Sequence, residues 1–305
     1  MLLIYINDLP DVCDSYSKMF LFADDAKIYT YVNNTGDSMS LQLNLNKFYR
    51  WTENWKLVLN TDKCTVCRYG RNIKIKSDYY LNQTKLQEVH TVKDLGVTFD
   101  EQLKFNDHCH DKIKKAYSML GLIKRNFNLL CRDSFVMLYK SMVRSHLEYA
   151  NSVWNPHGEG LIKELERVQM RATKLVSGLR KTCYKQRLIE LKLPTLKYRR
   201  IRGDMIEVYK LLTNKYDDNT VHLDRNLDTR TRGHTKKLVV KRCHYDVRKY
   251  SFCIRVISIW NSLPSEVISA PSVNSFKNRL DEFWADQEVM YDYKANITGH
   301  KGILL

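Results

Sequence analysis

The chain has 305 residues, 44% of them hydrophobic and 28% charged, with 11 Gly, 5 Pro and a formal net charge of +16. That length buries a sizeable core and divides into two or three units, and the scarcity of Gly and Pro excludes long disordered linkers. The apolar opening MLLIYI stops at Asn7 and Asp8 without a basic leader, too short for a spanning helix or a signal peptide.

The charge is unevenly placed. Residues 1–110 hold 13 Lys and Arg against 14 Asp and Glu, and the remainder holds 37 against 20. A basic excess confined to the later two-thirds points to a phosphate-rich partner, nucleic acid ahead of a membrane surface. The eight cysteines, at positions 13, 64, 67, 109, 131, 183, 243 and 253, lack framework spacing and read as reduced thiols of an intracellular protein.

In chain order, MFLFA and AKIYTYV are apolar, aromatic-rich runs flanking Asp24 and Asp25, which predicts a β-hairpin with the aspartates at its tip. Leu41, Leu45, Phe48, Thr52 and Trp55 recur at helical spacing, with Asp37 or Ser38 as the expected cap. KLVLN and CTVCRYG read as strands, and YYLNQTKLQEV and DLGVTFDEQLKF as hairpins. Beyond residue 111 the period changes to that of amphipathic helices. One runs from Ile113 to Leu130, another from Leu138 to Ala150, a third from Leu161 to Leu179 and a fourth from Thr195 to about residue 213. After the basic stretch RTRGHTKKLVVKR come two shorter helical patterns, SFCIRVISIWNSL and SFKNRLDEFW, separated by Pro264 and Pro271.

Two adjacent carboxylates admit two explanations. Asp-Asp is ordinary turn chemistry, and it is also what a site for hard divalent cations requires, because phosphoryl transfer on two metals needs converging oxygen ligands. The Cys64–Cys67 pair with His108, Cys109 and His110 downstream suggests zinc. Against that, an odd separation on a strand sends the two thiols to opposite faces, which favours structural cysteines. His222, His234 and His244 stand without partners at motif spacing. Tyrosines beside bases, as in Tyr198-Arg199-Arg200, Tyr245 to Arg248 and Lys249-Tyr250, suit base stacking with phosphate neutralisation. Arg199, Arg200 and Arg202, and then Arg230, Arg232, Lys236 and Lys237, are the candidate nucleic-acid contacts, with a solvated face as the alternative.

Four segments in order, LLIYINDLP, FLFADDAKIY, WTENWKLVLNTDKC and VKDLGVTFDEQLKF, resemble the later palm motifs of reverse transcriptases from non-LTR retrotransposons of the jockey-like group. LYKSMVRSHLEYANSVWNPH, LERVQMRATKLVSGL, TRTRGHTKKL and SFCIRVISIWNSLP are similar to the region that follows the polymerase in those elements, so the resemblance covers about residues 3–285. It implies an α+β fold. A truncated right-hand palm of antiparallel hairpins plus a helix takes residues 1–110, a helical thumb-like region 111–190, a basic helical C-terminal region 191–290 and a tail 291–305.

The resemblance also implies a fragment of an RNA-directed DNA polymerase, with RNA template, DNA primer and deoxynucleoside triphosphates as partners, Mg2+ as cofactor, and a location in nucleus or cytoplasm. Asp24 and Asp25 match the catalytic, metal-ligating hairpin, and Lys63 matches a lysine proposed as general acid toward pyrophosphate. Leu95-Gly96 falls in the segment that grips the primer end. The plain readings are a solvated lysine at a strand end and a glycine serving a bulge. In that family the fingers and the strand bearing a further metal-binding aspartate precede LLIYINDLP, whereas here 23 residues precede Asp24. Asp8, Asp11 and Asp14 read as helix-end and turn residues. The expectation is therefore weak metal binding and an inactive chain, or alternatively a non-catalytic nucleic-acid-binding remnant of a mobile element.

Overall fold

A computed structural model describes residues 6–14, 16–216, 221–226 and 234–298, and the chain divides into two compact units. The first takes in residues up to Asp94 together with Phe99–Leu103; the second takes in Leu95–Thr98 and the chain from Lys104 onward. The protein is mixed α and β, with the strands in the first third and helices after it. Among the described residues no helix is long and apolar enough to cross a membrane.

The first unit forms where period-two and period-3.6 stretches alternate. Strands β1 (Ser17–Phe22) and β2 (Asp25–Thr30) make an antiparallel hairpin, followed by helix α1 (Thr35–Asn54). Asn34, rather than Asp37 or Ser38, is the N-cap. Its side chain accepts from the Asp37 N–H, and the Asp37 carboxylate accepts from the Asn34 N–H, a reciprocal capping box. Phe48 and Trp51 of α1 pack with Leu9, Tyr79, Leu81 and Leu86, and Met19, Leu21 and Ile28 of the hairpin close that core from one side. Buried Asn44 donates to Ser17 Oγ at 2.8 Å, tying α1 to the first residue of β1.

The predicted strands after α1 shrink. KLVLN is irregular, with Val58 99% exposed, because among the described residues nothing pairs with it to bury its apolar side chains. CTVCRYG contributes only β3 (Thr65–Val66), parallel to β6 (Gln87–Glu88). The two later hairpins form as expected, β4 (Tyr80–Leu81) with β5 (Thr84–Lys85), and β7 (Thr91–Asp94) with β8 (Val97–Asp100).

The second unit is helical. Helix α2 (Asn106–Asn126) packs on α6 (Glu159–Ala172) and on the stretch between them. That stretch was expected to be one helix to Ala150. It is α3 (Arg132–Leu138), a π-helical turn at Tyr139–Arg144, α4 (Ser145–Glu148) and α5 (Asn151–Trp154). The break lies at Tyr149 and Ala150, the latter with φ of 52°. There the Trp154 indole N–H takes the Tyr149 carbonyl at 2.7 Å, diverting it from the helical ladder. Then follow α7 (Tyr184–Leu191) and α8 (Leu196–Leu212). Thr195 caps α8 through the Tyr198 N–H and also donates to the Val289 carbonyl at 2.6 Å. Helices α10 (Phe252–Asn261), α11 (Ser265–Ile268) and α12 (Val273–Phe283) gather with α8 around Trp260, Phe276, Leu280 and Trp284, and the short, exposed α9 (Asp246–Lys249) precedes α10.

Helix α8 is the hub because its polar face is buried and paired. Asp204 accepts from Arg255 Nε and Nη2 at 2.9 and 3.0 Å. Burial pushes the Asp204 carboxyl up, and Arg255 pulls it back toward the charged form. At the first residue of α8, wholly buried Glu166 of α6 accepts from the Leu196 N–H at 3.0 Å, and Gln169 bridges Tyr139, Tyr184 and the Pro194 carbonyl.

Two outcomes are expected. Arg255→Leu strands a buried carboxylate and costs about 3–5 kcal/mol in urea denaturation, while Asp204→Leu combined with Arg255→Met costs less. In the first unit, the Ser40 hydroxyl and further hydrogen bonds from Asn44, Ser17 and Tyr16 hold the Asp14 carboxyl below its ordinary value. A depressed folded pKa supplies stability that is complete above the unfolded value of about 3.9 and fades as pH falls through the folded one. Acid denaturation followed by hydrogen exchange of α1 should show that arm, and Asp14→Asn should flatten it.

Candidate active-site hairpin

The hairpin is set by its pairing. Phe22 lies opposite Asp25, Leu21 opposite Ala26 and Phe20 opposite Lys27, leaving Ala23 and Asp24 as a two-residue loop. Ala23 takes the left-handed turn, with φ of 51°, the kind of backbone that lets a two-residue loop follow the twist of its strands. Side chains then alternate. Ser17, Met19, Leu21 and Ile28 face the packed side, while Phe20, Phe22, Asp25, Lys27 and Tyr29 share the other.

Asp24 and Asp25 are both exposed, so neither carboxylate carries a desolvation cost that would need a buried partner. Phe20 and Phe22 stand beside them 54% and 58% exposed. These aromatics went unremarked in the sequence reading although the strict alternation of FLFADDAKIY placed them with Asp25. Lys27, two residues along the same face, forms an ion pair with Asp94, which fastens β2 to the end of β7. Among the described residues no third His, Cys, Asp or Glu joins the tip in a metal-binding group.

The remaining aspartates near the start serve as turn residues. Asp8 accepts from the Trp51 indole at 3.3 Å, and Asp14 accepts from Ser40 Oγ at 2.7 Å and from the Tyr16 and Ser17 N–H groups. Lys63 ends a 3-10 turn, Thr61–Lys63, and is exposed. Among the described residues no ion pair links it to Asp24 or Asp25.

Gly96 lies in the second unit, and its role is a turn rather than a bulge. Leu95 and Gly96 have φ of 43° and 81° and link β7 to β8 as a two-residue loop. Buried Lys112 donates to the Gly96 carbonyl at 2.8 Å, and the Tyr149 hydroxyl donates to the Leu95 carbonyl at 2.9 Å. A Cβ on Gly96 would come within 3.3 Å of the Tyr149 ring.

The three arginines of α8 do not form an open basic face. Arg199 grips Glu148 with two nitrogens, one at 2.8 Å, and Arg202 grips Asp281, with one contact at 2.7 Å. Arg200 is 2% exposed and donates to Asn155 Oδ1 at 3.0 Å. Burial lowers its pKa, opposed by the charges of Glu166 and Asp204. Helical spacing placed these residues on one element, but the carboxylates that meet them lie 51 and 79 positions away, beyond the reach of a local pattern. Arg230 and Arg232 lie outside the described residues. Lys236 and Lys237 are half-buried, their carbonyls accepting from the Trp260 indole and the Asn226 N–H.

The thiols behave as packing groups. Cys64 and Cys67 are half-buried, and burial raises both above an ordinary thiol. His108 is buried, accepts the Thr98 N–H at 3.0 Å through Nδ1, and is pushed down to about 4 by desolvation and Lys112.

No family model matches the sequence, and no solved structure does. Among curated proteins, the RNA-directed DNA polymerase from mobile element jockey of Drosophila melanogaster is 26% identical over 189 residues. The match covers 57% of this chain and 20% of that polymerase. This agrees with the resemblance drawn from the sequence. The chain is a distant relative of the jockey-like, non-LTR retrotransposon reverse transcriptases.

Proposed function

We propose that the chain carries the catalytic-hairpin portion of an RNA-directed DNA polymerase, with Asp24 and Asp25 as ligands for magnesium. The observation behind it is the hairpin whose loop and first β2 residue hold both carboxylates in water while the opposite face of the same strands is anchored in a core. Similarity to a jockey polymerase supports the reading.

Carboxylates on a short, braced turn fit a hard cation, which prefers oxygen ligands. When bound, magnesium supplies neutralisation of the triphosphate and activation of the attacking hydroxyl. The chain's own part is to fix ligand positions, since β1 and β2 cannot shift register without turning Met19 and Leu21 out of the core. Lys63 serves as proton donor to the leaving pyrophosphate; within the second unit, the Leu95-Gly96 turn, its carbonyls held by Tyr149 and Lys112, is a separate proposed primer contact. RNA template, DNA primer and deoxynucleoside triphosphates are the proposed partners. Two adjacent carboxylates alone repel each other and bind a cation weakly, so the described site extends primers poorly by itself.

The second reading, a nucleic-acid-binding protein without catalysis, is favoured by the excess of 37 basic over 20 acidic residues after position 110.

Calorimetric titration with Mn2+, paired with primer extension on an RNA template, tests the first reading. Wild type should show saturable binding in the millimolar range that is absent from Asp24→Asn/Asp25→Asn at unchanged Tm, and little extension. Equal cation binding by wild type and variant would remove the metal role. Robust magnesium-dependent extension, abolished by Asp24→Asn, would contradict the weakness assigned to the two-carboxylate site.

A further inference from the structure

The second unit carries an aromatic pile that none of the preceding roles uses. The His157 and Tyr250 rings lie parallel, with centroids 4.0 Å apart and 3° between their planes. Lys249 Nζ sits 5.3 Å from the centroid of the Tyr250 ring. His157 is exposed and Tyr250 is half-buried.

Stacked aromatic rings cover one face of each other and leave the outer face of the exposed ring open. Arg255 ties the backbone beside them. It donates to the Tyr250 carbonyl at 3.1 Å and to the Ser152 carbonyl at 2.7 Å, while its remaining contacts clamp Asp204. One half-buried guanidinium thus ties together the segments that bear the two rings.

The chain beside the pile is basic. Arg248 and Lys249, immediately before Tyr250 in the chain, are exposed, as are Tyr245 and Arg242 further upstream. The acidic groups nearby in sequence are Asp246 and Glu159, both exposed. Lys241 is already paired, with Asp224.

We propose that this surface binds single-stranded nucleic acid, a base stacking on the exposed His157 ring while Arg242, Arg248 and Lys249 take the flanking phosphates. A ring already backed by a second ring and a fixed backbone offers a stacking platform with little left to order on binding. Bases inside a duplex have no free face to offer it, so the surface discriminates single from double strands. The inference rests on the proposed function only for the class of partner.

The test uses the full chain and fluorescence anisotropy with a labelled oligothymidylate, beside a duplex of equal length. Because a base loses its stacking partner, His157→Ala should weaken single-strand binding about tenfold. His157→Phe should keep the affinity, and Tm should not change in either variant. Arg248→Gln with Lys249→Gln should lower affinity and reduce the slope of log affinity against log salt. His157→Ala should keep the wild-type Mn2+ titration curve, so failure of the hairpin's cation role and failure of this surface are read separately. Wild type that does not bind the oligonucleotide, His157→Ala that binds it like wild type, or an equal loss on the duplex would overturn the proposal.

Discussion

The pairing of Phe22 with Asp25 is the constraint from which the candidate site follows. In a strand the side-chain period is two, so a slip of one residue would exchange the faces of the whole hairpin. The register is held from the packed side, where Met19, Leu21 and Ile28 meet the core built on Phe48 and Trp51. It is held again by Asn44, whose amide reaches Ser17 Oγ at the start of β1. Asp25 therefore shares a face with Phe20, Phe22 and Lys27, and Asp24 sits in the loop beside it. The carboxylates are in water because hydrophobic side chains elsewhere in the same strands are not.

In the second unit the organising feature is charge taken out of water. Helix α8 presents Arg199, Arg200, Arg202 and Asp204 within six positions, and each meets a polar partner from a distant part of the chain. Arrangements of this kind add little stability relative to well-packed apolar residues, yet they penalise any packing that leaves one member alone. Arg255 shows the consequence, since the guanidinium that neutralises Asp204 also holds the Ser152 and Tyr250 carbonyls and so shapes the surface around His157. A basic composition thus divides between internal scaffolding and exposed groups such as Arg242 and Arg248.

What could be read from the sequence follows from how local each signal is. The hairpin at Asp24 and Asp25, the helix through Phe48 and the helix starting at Thr195 depend on neighbours a few residues away, and pattern alone located them. Asn34 was missed as a cap because Asp37 carries the same chemistry three positions on, where it completes the capping box. The strand expected at KLVLN failed because apolar alternation needs a pairing partner, which periodicity does not supply. The helix through Tyr149 was broken by a side chain five residues on, the Trp154 indole on its carbonyl, which apolar periodicity does not register. The arginines of α8 were misjudged for a longer-range reason. Sequence shows that a charge is present, whereas its availability depends on carboxylates such as Glu148 and Asp281 that arrive from elsewhere.

The central claim is that register alone delivers both aspartates to solvent on a braced turn. Cross-strand nuclear Overhauser contacts in the isotope-labelled chain test it most directly. The account predicts contacts joining Phe22 with Asp25 and Leu21 with Ala26, with the Asp24 and Asp25 side chains accessible to a soluble relaxation agent. Contacts joining Phe22 with Ala26, together with an Asp25 side chain shielded among Met19 and Ile28, would contradict it.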